Sequence, residues 1–157
     1  MQTNVSEQTI QTLEVIRDVE IAATIDIVFE TVLEHVGPHN ESPDGELHQL
    51  KLEAWPGGRW FRDFGNNTGH LWGHVHMIEP PRVLELHGPM FMSAPTVSHV
   101  MYRLSEENGA TRLKLSHRVI GLIPQELMDG VDVNRGWDRH IRNLREMAEQ
   151  RSGRTKH

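Results

Sequence analysis

The chain has 157 residues, of which 37% are hydrophobic and 24% charged, and its formal net charge is −6. This length suits one globular domain with a real core, and the negative charge argues against a nucleic-acid partner, because phosphate contacts need clustered cations. The absence of cysteine excludes disulfides, thiolate chemistry and cysteine zinc sites.

The apolar runs of the sequence are too short to span a membrane. The N-terminal residues have neither the basic start nor the apolar core of a signal peptide. We therefore expect a cytoplasmic protein without a membrane partner. A single domain over residues 1–157 is predicted, with polar, disordered ends at 1–10 and 151–157.

The first half of the chain predicts a strand, a helix and then more strands. Apolar and polar residues alternate from Leu13 to Ile21, which is typical of a half-buried strand. Thr24 is a suitable N-cap for an amphipathic helix of about ten residues, which Gly37-Pro38 ends. Further strands are predicted at 50–54, 59–64, 70–79, 82–88, 96–104 and 111–119.

The stretch from Pro124 to Gln150 predicts a long helix around which the other elements are organised. Its apolar residues recur at spacings of four, three and four and so share one helix face: Trp137, Ile141, Leu144 and Ala148. Gly136 marks either the close approach of another segment or a tolerated kink. Because strands and helices are segregated, the predicted fold class is α+β, a curved antiparallel sheet of about seven strands wrapped around this helix.

The dipeptide Asn108-Gly109 predicts a two-residue hairpin turn, which sets the register of the last two strands. Tyr102 and His117 then lie on an inner face that is otherwise apolar. They are candidates for orienting a ligand or for acting as proton donor and acceptor. The alternative is that each makes a structural hydrogen bond in the core.

A turn at Pro80-Pro81 predicts a polar cluster on the outer face of the sheet. In this register Met77 pairs with Leu84 on the inner face. The cluster then contains His70, His74, His76, His87 and Glu85. These residue types can bind zinc, but we interpret the cluster as a solvated sheet surface and predict no metal site.

Apolar side chains at the third strand and on the loop after the strand at 82–88 each allow two interpretations. Glycines beside the third strand indicate a bulge, so either Trp60 or Phe61 could face inward. Met90, Phe91 and Met92 lie on a loop and suggest an adaptable apolar lip. Ordinary packing explains this loop equally well.

Five short motifs follow one another along residues 13–148. They are Ala23 to Phe29, Gly57-Gly58-Arg59-Trp60, Gly73-His74-Val75 with Pro80-Pro81, Thr111 to His117, and Gly136-Trp137. In this order they resemble the START-like (SRPBCC) superfamily, and within it the branch named after the activator of the heat-shock-protein ATPase. The resemblance implies a helix-grip fold with a hydrophobic cavity between the sheet and the long helix. Such a fold hosts many activities, so it does not fix the function.

The leading prediction is a small-molecule-binding module that takes an apolar ligand and needs no cofactor. The predicted ligand-binding residues are Trp60, Met90, Phe91, Met92, Tyr102, His117, Trp137 and Ile141. One alternative is a cyclase- or hydrolase-like enzyme in which Tyr102 and His117 do acid–base work. Another is an interaction domain that activates a chaperone ATPase. A homodimer is left open.

Overall fold

The computed structural model describes residues 4–154, and the outermost residues predicted to be disordered, 1–3 and 155–157, lie outside the described residues. The strands are β1 (Gln11–Ile21), β2 (Leu50–Leu52), β3 (Arg59–Gly65), β4 (Thr68–Glu79), β5 (Val83–Gly88), β6 (Thr96–Glu107) and β7 (Ala110–Gly121). The helices are α1 (Ile25–Val36) and α2 (Val131–Arg154), with a 3-10 turn at Gln125–Leu127.

The seven strands form one sheet in the order β1-β7-β6-β5-β4-β3-β2, and each neighbouring pair is antiparallel. This confirms the predicted α+β class and the helix-grip arrangement. The inner face of the sheet, α1 and α2 share one hydrophobic core. Leu144 and Ala148 of α2 are fully buried there and Trp137 almost so, as the spacing of apolar residues predicts.

The helix α2 begins later than predicted, because the chain between Pro124 and Gly130 turns differently. Gly130 has φ +74°, in the left-handed region that favours glycine, and this interrupts the helical path. The carboxylate of Asp129 then accepts the backbone N–H of Val131 at 2.9 Å. At its other end, α2 continues to Arg154, past the predicted end at Gln150 and into the segment expected to be disordered.

The hairpin between β6 and β7 has the predicted register. Asn108 and Gly109 both have positive φ, 52° and 81°, as a two-residue turn of this kind requires. Tyr102 pairs with Leu115 and Val100 pairs with His117. Tyr102 and His117 are each only 1% exposed, so their predicted inward orientation is confirmed.

Bulges in β4 overturn part of the predicted outer face. A register shift between Val75 and Met77 pairs Met77 with Glu85, so Ile78 instead of Met77 lies opposite Leu84. Met77 is 39% exposed, and its predicted inner position is wrong. One extra residue in a strand reverses the faces that follow it, and sequence alternation alone does not reveal this.

A second bulge lies where β4 pairs with β3. Trp60 pairs with Gly73 and Phe61 with Leu71, so Trp72 between them has no partner in the ladder. Trp60 is the inward residue of its pair, at 2% exposure. His70 lies beside the inward Trp72, with ring centroids 6.4 Å apart, and its predicted outer position is therefore wrong.

The helix α1 begins after Thr24, which has the extended backbone of an N-cap but makes no side-chain capping hydrogen bond. It ends at Val36, directly before the predicted stop at Gly37-Pro38. Among residues 4–154, no helix combines the length and the apolar character that crossing a membrane demands.

Candidate functional site

A cavity of about 330 Å³ lies beside the first half of α2. Its other walls come from the loop between α1 and β2, from Trp72 of β4 and from the loop after β5. The apolar lining residues are Trp72, Met90, Phe91, Leu127, Val133 and Trp137. The polar lining residues are Asn40, Glu41, Asp44, His48, Asp132 and His140. The site is thus an apolar pocket with a polar rim, as is typical of small-molecule sites.

Ion pairs hold the loop between α1 and β2 against α2. Arg139 contacts Glu41 at 3.2 Å, and Arg135 contacts Asp44 at 2.9 Å and Asp132 at 3.1 Å. Exposed pairs of this kind contribute little to stability, about 0–1 kcal/mol each. Their structural effect is to place one wall of the cavity and to neutralise part of its acidic rim.

Behind the cavity, Trp137 connects α2 to the sheet through His117. The indole N–H of Trp137 donates to His117 Nδ1 at 2.9 Å, and His117 Nε2 lies 2.9 Å from Ser98 Oγ. Because an indole can only donate, Nδ1 must be unprotonated, and the imidazole proton is on Nε2. Burial lowers the pKa of His117 to about 4, which keeps the ring neutral.

Tyr102 makes a parallel connection to His140. Its hydroxyl oxygen lies 2.8 Å from His140 Nε2, and both side chains are buried. The buried hydroxyl proton needs an acceptor, so Tyr102 donates to Nε2 and Nδ1 carries the proton of His140. Burial raises the pKa of Tyr102 and lowers the pKa of His140 to about 3, to which the neighbouring His35 adds. Burial thus favours the neutral form of both groups near neutral pH.

Trp72 has an unpaired buried donor. In the part of the chain that the structure describes, its Nε1 is the only buried side-chain nitrogen or oxygen without a hydrogen-bond partner. Trp60 and Trp137, by contrast, donate to the carbonyl of Val36 and to His117. An unpaired buried donor costs about 1–3 kcal/mol. An unpaired group of this kind is uncommon, because most buried polar atoms of native proteins have a hydrogen-bond partner.

His48 lies next to Trp72, with ring centroids 5.1 Å apart. Asn40 Nδ2 donates to the carbonyl of His35 at 3.1 Å, which fixes Asn40 Oδ1 as the atom that faces His48 Nδ1 at 2.7 Å. His48 therefore donates from Nδ1, and burial lowers its pKa so that the ring favours the neutral form. Its Nε2 then has a lone pair and no proton.

The predicted site residues fall into three groups. Met90, Phe91 and Trp137 line the cavity. Tyr102 and His117 lie behind it, each hydrogen-bonded to a lining residue, and their direct contact with a ligand stays a prediction.

The remaining three predicted residues lie outside the cavity lining. Trp60 is buried against Trp72, with ring centroids 5.3 Å apart, and Ile141 is half-buried against the main core. Met92 lies in a smaller cluster with Val119 and Ile123. A ligand role for these three stays a prediction.

Sequence reasoning did not select Trp72, His48 or His140. The helical spacing could have found His140, because it lies three residues after Trp137 on the same helix. Trp72 could not be placed, because its orientation depends on the bulge. His48 lies in a loop that has no periodic pattern.

The outer histidines form a loose surface group. The ring centroids of His76 and His87 are 5.2 Å apart, and His99 Nε2 lies 3.0 Å from Glu85 Oε1. Across residues 4–154, no three histidine, aspartate or glutamate side chains are placed to hold a metal ion.

A sheet that curves around a long C-terminal helix defines a START-like helix-grip protein. The family whose model matches residues 45–149 is described as "Activator of Hsp90 ATPase homolog 1-like protein". The chain belongs to this family. No curated protein matches the chain in sequence.

Several solved structures have the same fold. Protein NE0264 from Nitrosomonas europaea has a TM-score of 0.65 at 14% identity, over 90% of this chain and 97% of that chain. CalU16 from Micromonospora echinospora has a TM-score of 0.59 at 22% identity, over 96% and 90%. The Zhui aromatase/cyclase from Streptomyces sp. R1128 has a TM-score of 0.61 at 18% identity, over 90% and 96%. These identities establish similarity of fold alone.

Proposed function

We propose that the chain binds a small, largely apolar molecule in the cavity beside α2. The observation that carries this proposal is the cavity itself, whose volume of about 330 Å³ is within the range of small-molecule sites. Trp72, Phe91 and Trp137 form the aromatic parts of its wall, and Met90 can adapt to the shape of a ligand. The cytoplasmic location stays a prediction, and formation of a homodimer stays open.

An enzymatic role for Tyr102 and His117 has less support. Both have hydrogen-bond partners within the protein and lie behind the cavity wall. Burial also moves both pKa values away from neutrality, upward for Tyr102 and down to about 4 for His117. The aromatase/cyclase activity named for one similar structure belongs to that protein, and a fold alone does not transfer it.

The name of the family is what supports activation of a chaperone ATPase as a function of this chain. The ligand-binding proposal rests instead on a cavity with named walls. We therefore keep chaperone activation as the alternative, which a pull-down with the purified ATPase can test separately.

Two measurements test the ligand-binding proposal. Native mass spectrometry of untagged protein, purified without denaturation, should show a retained ligand. Titration with the neutral fluorescent probe N-phenyl-naphthylamine should show saturable binding at one site. The variant Gly136→Leu should weaken that binding at least tenfold, because a side chain added at this lining residue points between α2 and Pro43 and fills the cavity.

Gly153→Leu is the matched control for this variant. Gly153 lies on the same helix, and a Cβ added there meets open space. It should leave probe binding unchanged. Equal binding of the probe by the Gly136→Leu variant and the wild type would place the probe elsewhere and contradict the proposal.

A further inference from the structure

The unpaired indole N–H of Trp72 extends the proposed function to a chemical class of ligand. Trp72 is 3% exposed, and its Nε1 is shielded from solvent as well as from every acceptor that the structure describes. Both other buried tryptophans, Trp60 and Trp137, have acceptors for the same group. The missing acceptor is therefore specific to the tryptophan that the β4 bulge turns toward the cavity.

The local backbone holds Trp72 at the cavity wall. Because Trp72 is the extra residue of the bulge, it has no pairing partner on β3, and its carbonyl accepts the backbone N–H of Met90 at 2.8 Å. This bond ties the bulge to the loop that carries Phe91. Bulges commonly direct a side chain into a functional site.

None of the four ring neighbours of Trp72 accepts its N–H in this arrangement; they are His48, Trp60, His70 and Phe91. His48 packs against it at an interplanar angle of 62° without a hydrogen bond, and Phe91 packs at 65° and has no acceptor atom. Phe91 is 41% exposed and follows Met90, which has a strained φ of +58°. An acceptor in the cavity reaches Nε1 only when a neighbouring side chain moves aside, and Phe91 is the most exposed of these neighbours.

We propose that the cavity selects an apolar ligand that has an acceptor oxygen, such as a carbonyl, and that Trp72 Nε1 donates to this oxygen. This inference rests on the proposed function. A ligand oxygen in this position satisfies the one buried donor that the described residues leave unpaired. A hydrocarbon of the same shape leaves it unpaired, so the site discriminates between them.

Two isosteric probes test the donor role. Acetylnaphthalene and isopropenylnaphthalene have the same shape and differ in a carbonyl oxygen against a methylene group. Wild-type protein should bind the ketone roughly two- to tenfold more tightly than the alkene, the range expected for one neutral hydrogen bond. In Trp72→Phe this preference should disappear, while the affinity for the alkene should change by less than about threefold, because the aromatic surface is largely kept.

Trp60→Phe is the matched control, because it removes an indole N–H that is bonded to the backbone outside the cavity lining. It should keep the preference for the ketone. A second readout uses the unaltered protein: the indole N–H resonance of Trp72 should lie further downfield with the ketone than with the alkene, since the two naphthalene rings cause similar ring-current shifts. This readout does not depend on the folding of any variant.

The outcomes separate this inference from the proposed function. Equal affinity of the wild type for both probes, with the Trp72 resonance at the same position for both, overturns the donor role and leaves apolar binding intact. A ketone preference that survives in Trp72→Phe also overturns the donor role. Failure of both probes to bind the wild type overturns the inference together with the proposed function.

Discussion

Trp137 on α2 donates its indole N–H to His117 Nδ1 on β7 at 2.9 Å, so the two side chains orient each other inside the core. His117 continues the connection to Ser98 on β6. One face of Trp137 can thus line the cavity while its nitrogen is anchored to the sheet. The cavity wall and the attachment of α2 therefore depend on the same residue.

The first prediction concerns the contribution of Trp137 to stability. Trp137→Ala should lower the free energy of unfolding by about 3–5 kcal/mol, the usual cost of removing a large buried aromatic side chain. Trp137→Phe should cost about 1–3 kcal/mol, because it leaves His117 Nδ1 without a donor. Denaturant unfolding measures both. Trp55→Ala, at a position 58% exposed, is the control and should change stability by less than about 0.5 kcal/mol.

The second prediction concerns pH. The pKa values of His117 and His140 lie near 4 and 3 in the folded protein, below their ordinary value of 6.5. The unfolded chain therefore binds more protons than the folded chain once the pH falls below about 6.5. The free energy of unfolding decreases as the pH is lowered further. Each group contributes a slope of about 1.4 kcal/mol per pH unit until its folded pKa is reached.

Urea unfolding measures that slope between about pH 7.5 and about pH 4.5. This range runs from roughly one unit above the ordinary histidine pKa to just above the folded pKa of His117. His117→Gln should reduce the slope by about 1.4 kcal/mol per pH unit, since it removes one titrating group. Trp55→Ala, which removes no titrating group from an exposed position, should leave it unchanged. An unaltered slope in His117→Gln would show that the pKa of this histidine is not lowered in the folded protein.

The sequence was sufficient for the fold where local chemistry fixes geometry. Asn108-Gly109 sets the register of β6 and β7, and so places Tyr102 and His117 on the inner face. The four-three-four spacing after Trp137 identifies the buried stripe of α2. Both features depend on residues that are close in the chain.

The site was less predictable, because it depends on irregular backbone. A bulge turns Trp72 inward, and a second one moves Met77 outward. The orientation of His48 depends on Asn40 and the carbonyl of His35. Such contacts form only after the chain has folded, and alternation of apolar and polar residues contains no signal for them.

The third prediction compares two glycines with different backbone conformations: Gly136 lies within α2, and Gly130 directly precedes it. Gly136→Ala should stabilise the protein by about 0.5–1 kcal/mol, because a Cβ there meets Pro43 at an ordinary 3.5 Å and alanine favours the helix. Gly130→Ala should destabilise it by about 1 kcal/mol or more, because φ is +74° at that position. Thermal or denaturant unfolding measures both changes, and equal signs would contradict the assigned backbone conformations.

The fourth prediction concerns the outer histidines. Replacing His74, His76 and His87 together by Gln should leave the melting temperature and probe binding nearly unchanged, because the described side chains are not placed to hold a metal ion. Treatment with a chelator should have equally little effect. Stoichiometric metal in untagged protein, lost in the triple variant, would contradict this expectation.

The last prediction separates a structural from a ligand-binding role for Tyr102 and His117. Tyr102→Phe leaves His140 Nε2 without its donor, and His117→Gln disturbs the partners Trp137 and Ser98, so each should cost about 1–3 kcal/mol of stability. Under conditions where the variants remain folded, nearly wild-type affinity for the naphthyl probes is the outcome that a structural role requires, since neither residue lines the cavity. Loss of affinity by about tenfold without loss of stability would place the polar end of a ligand beside them. If a substrate is found and turnover falls by about 100-fold or more in either variant, the enzymatic alternative replaces binding as the function.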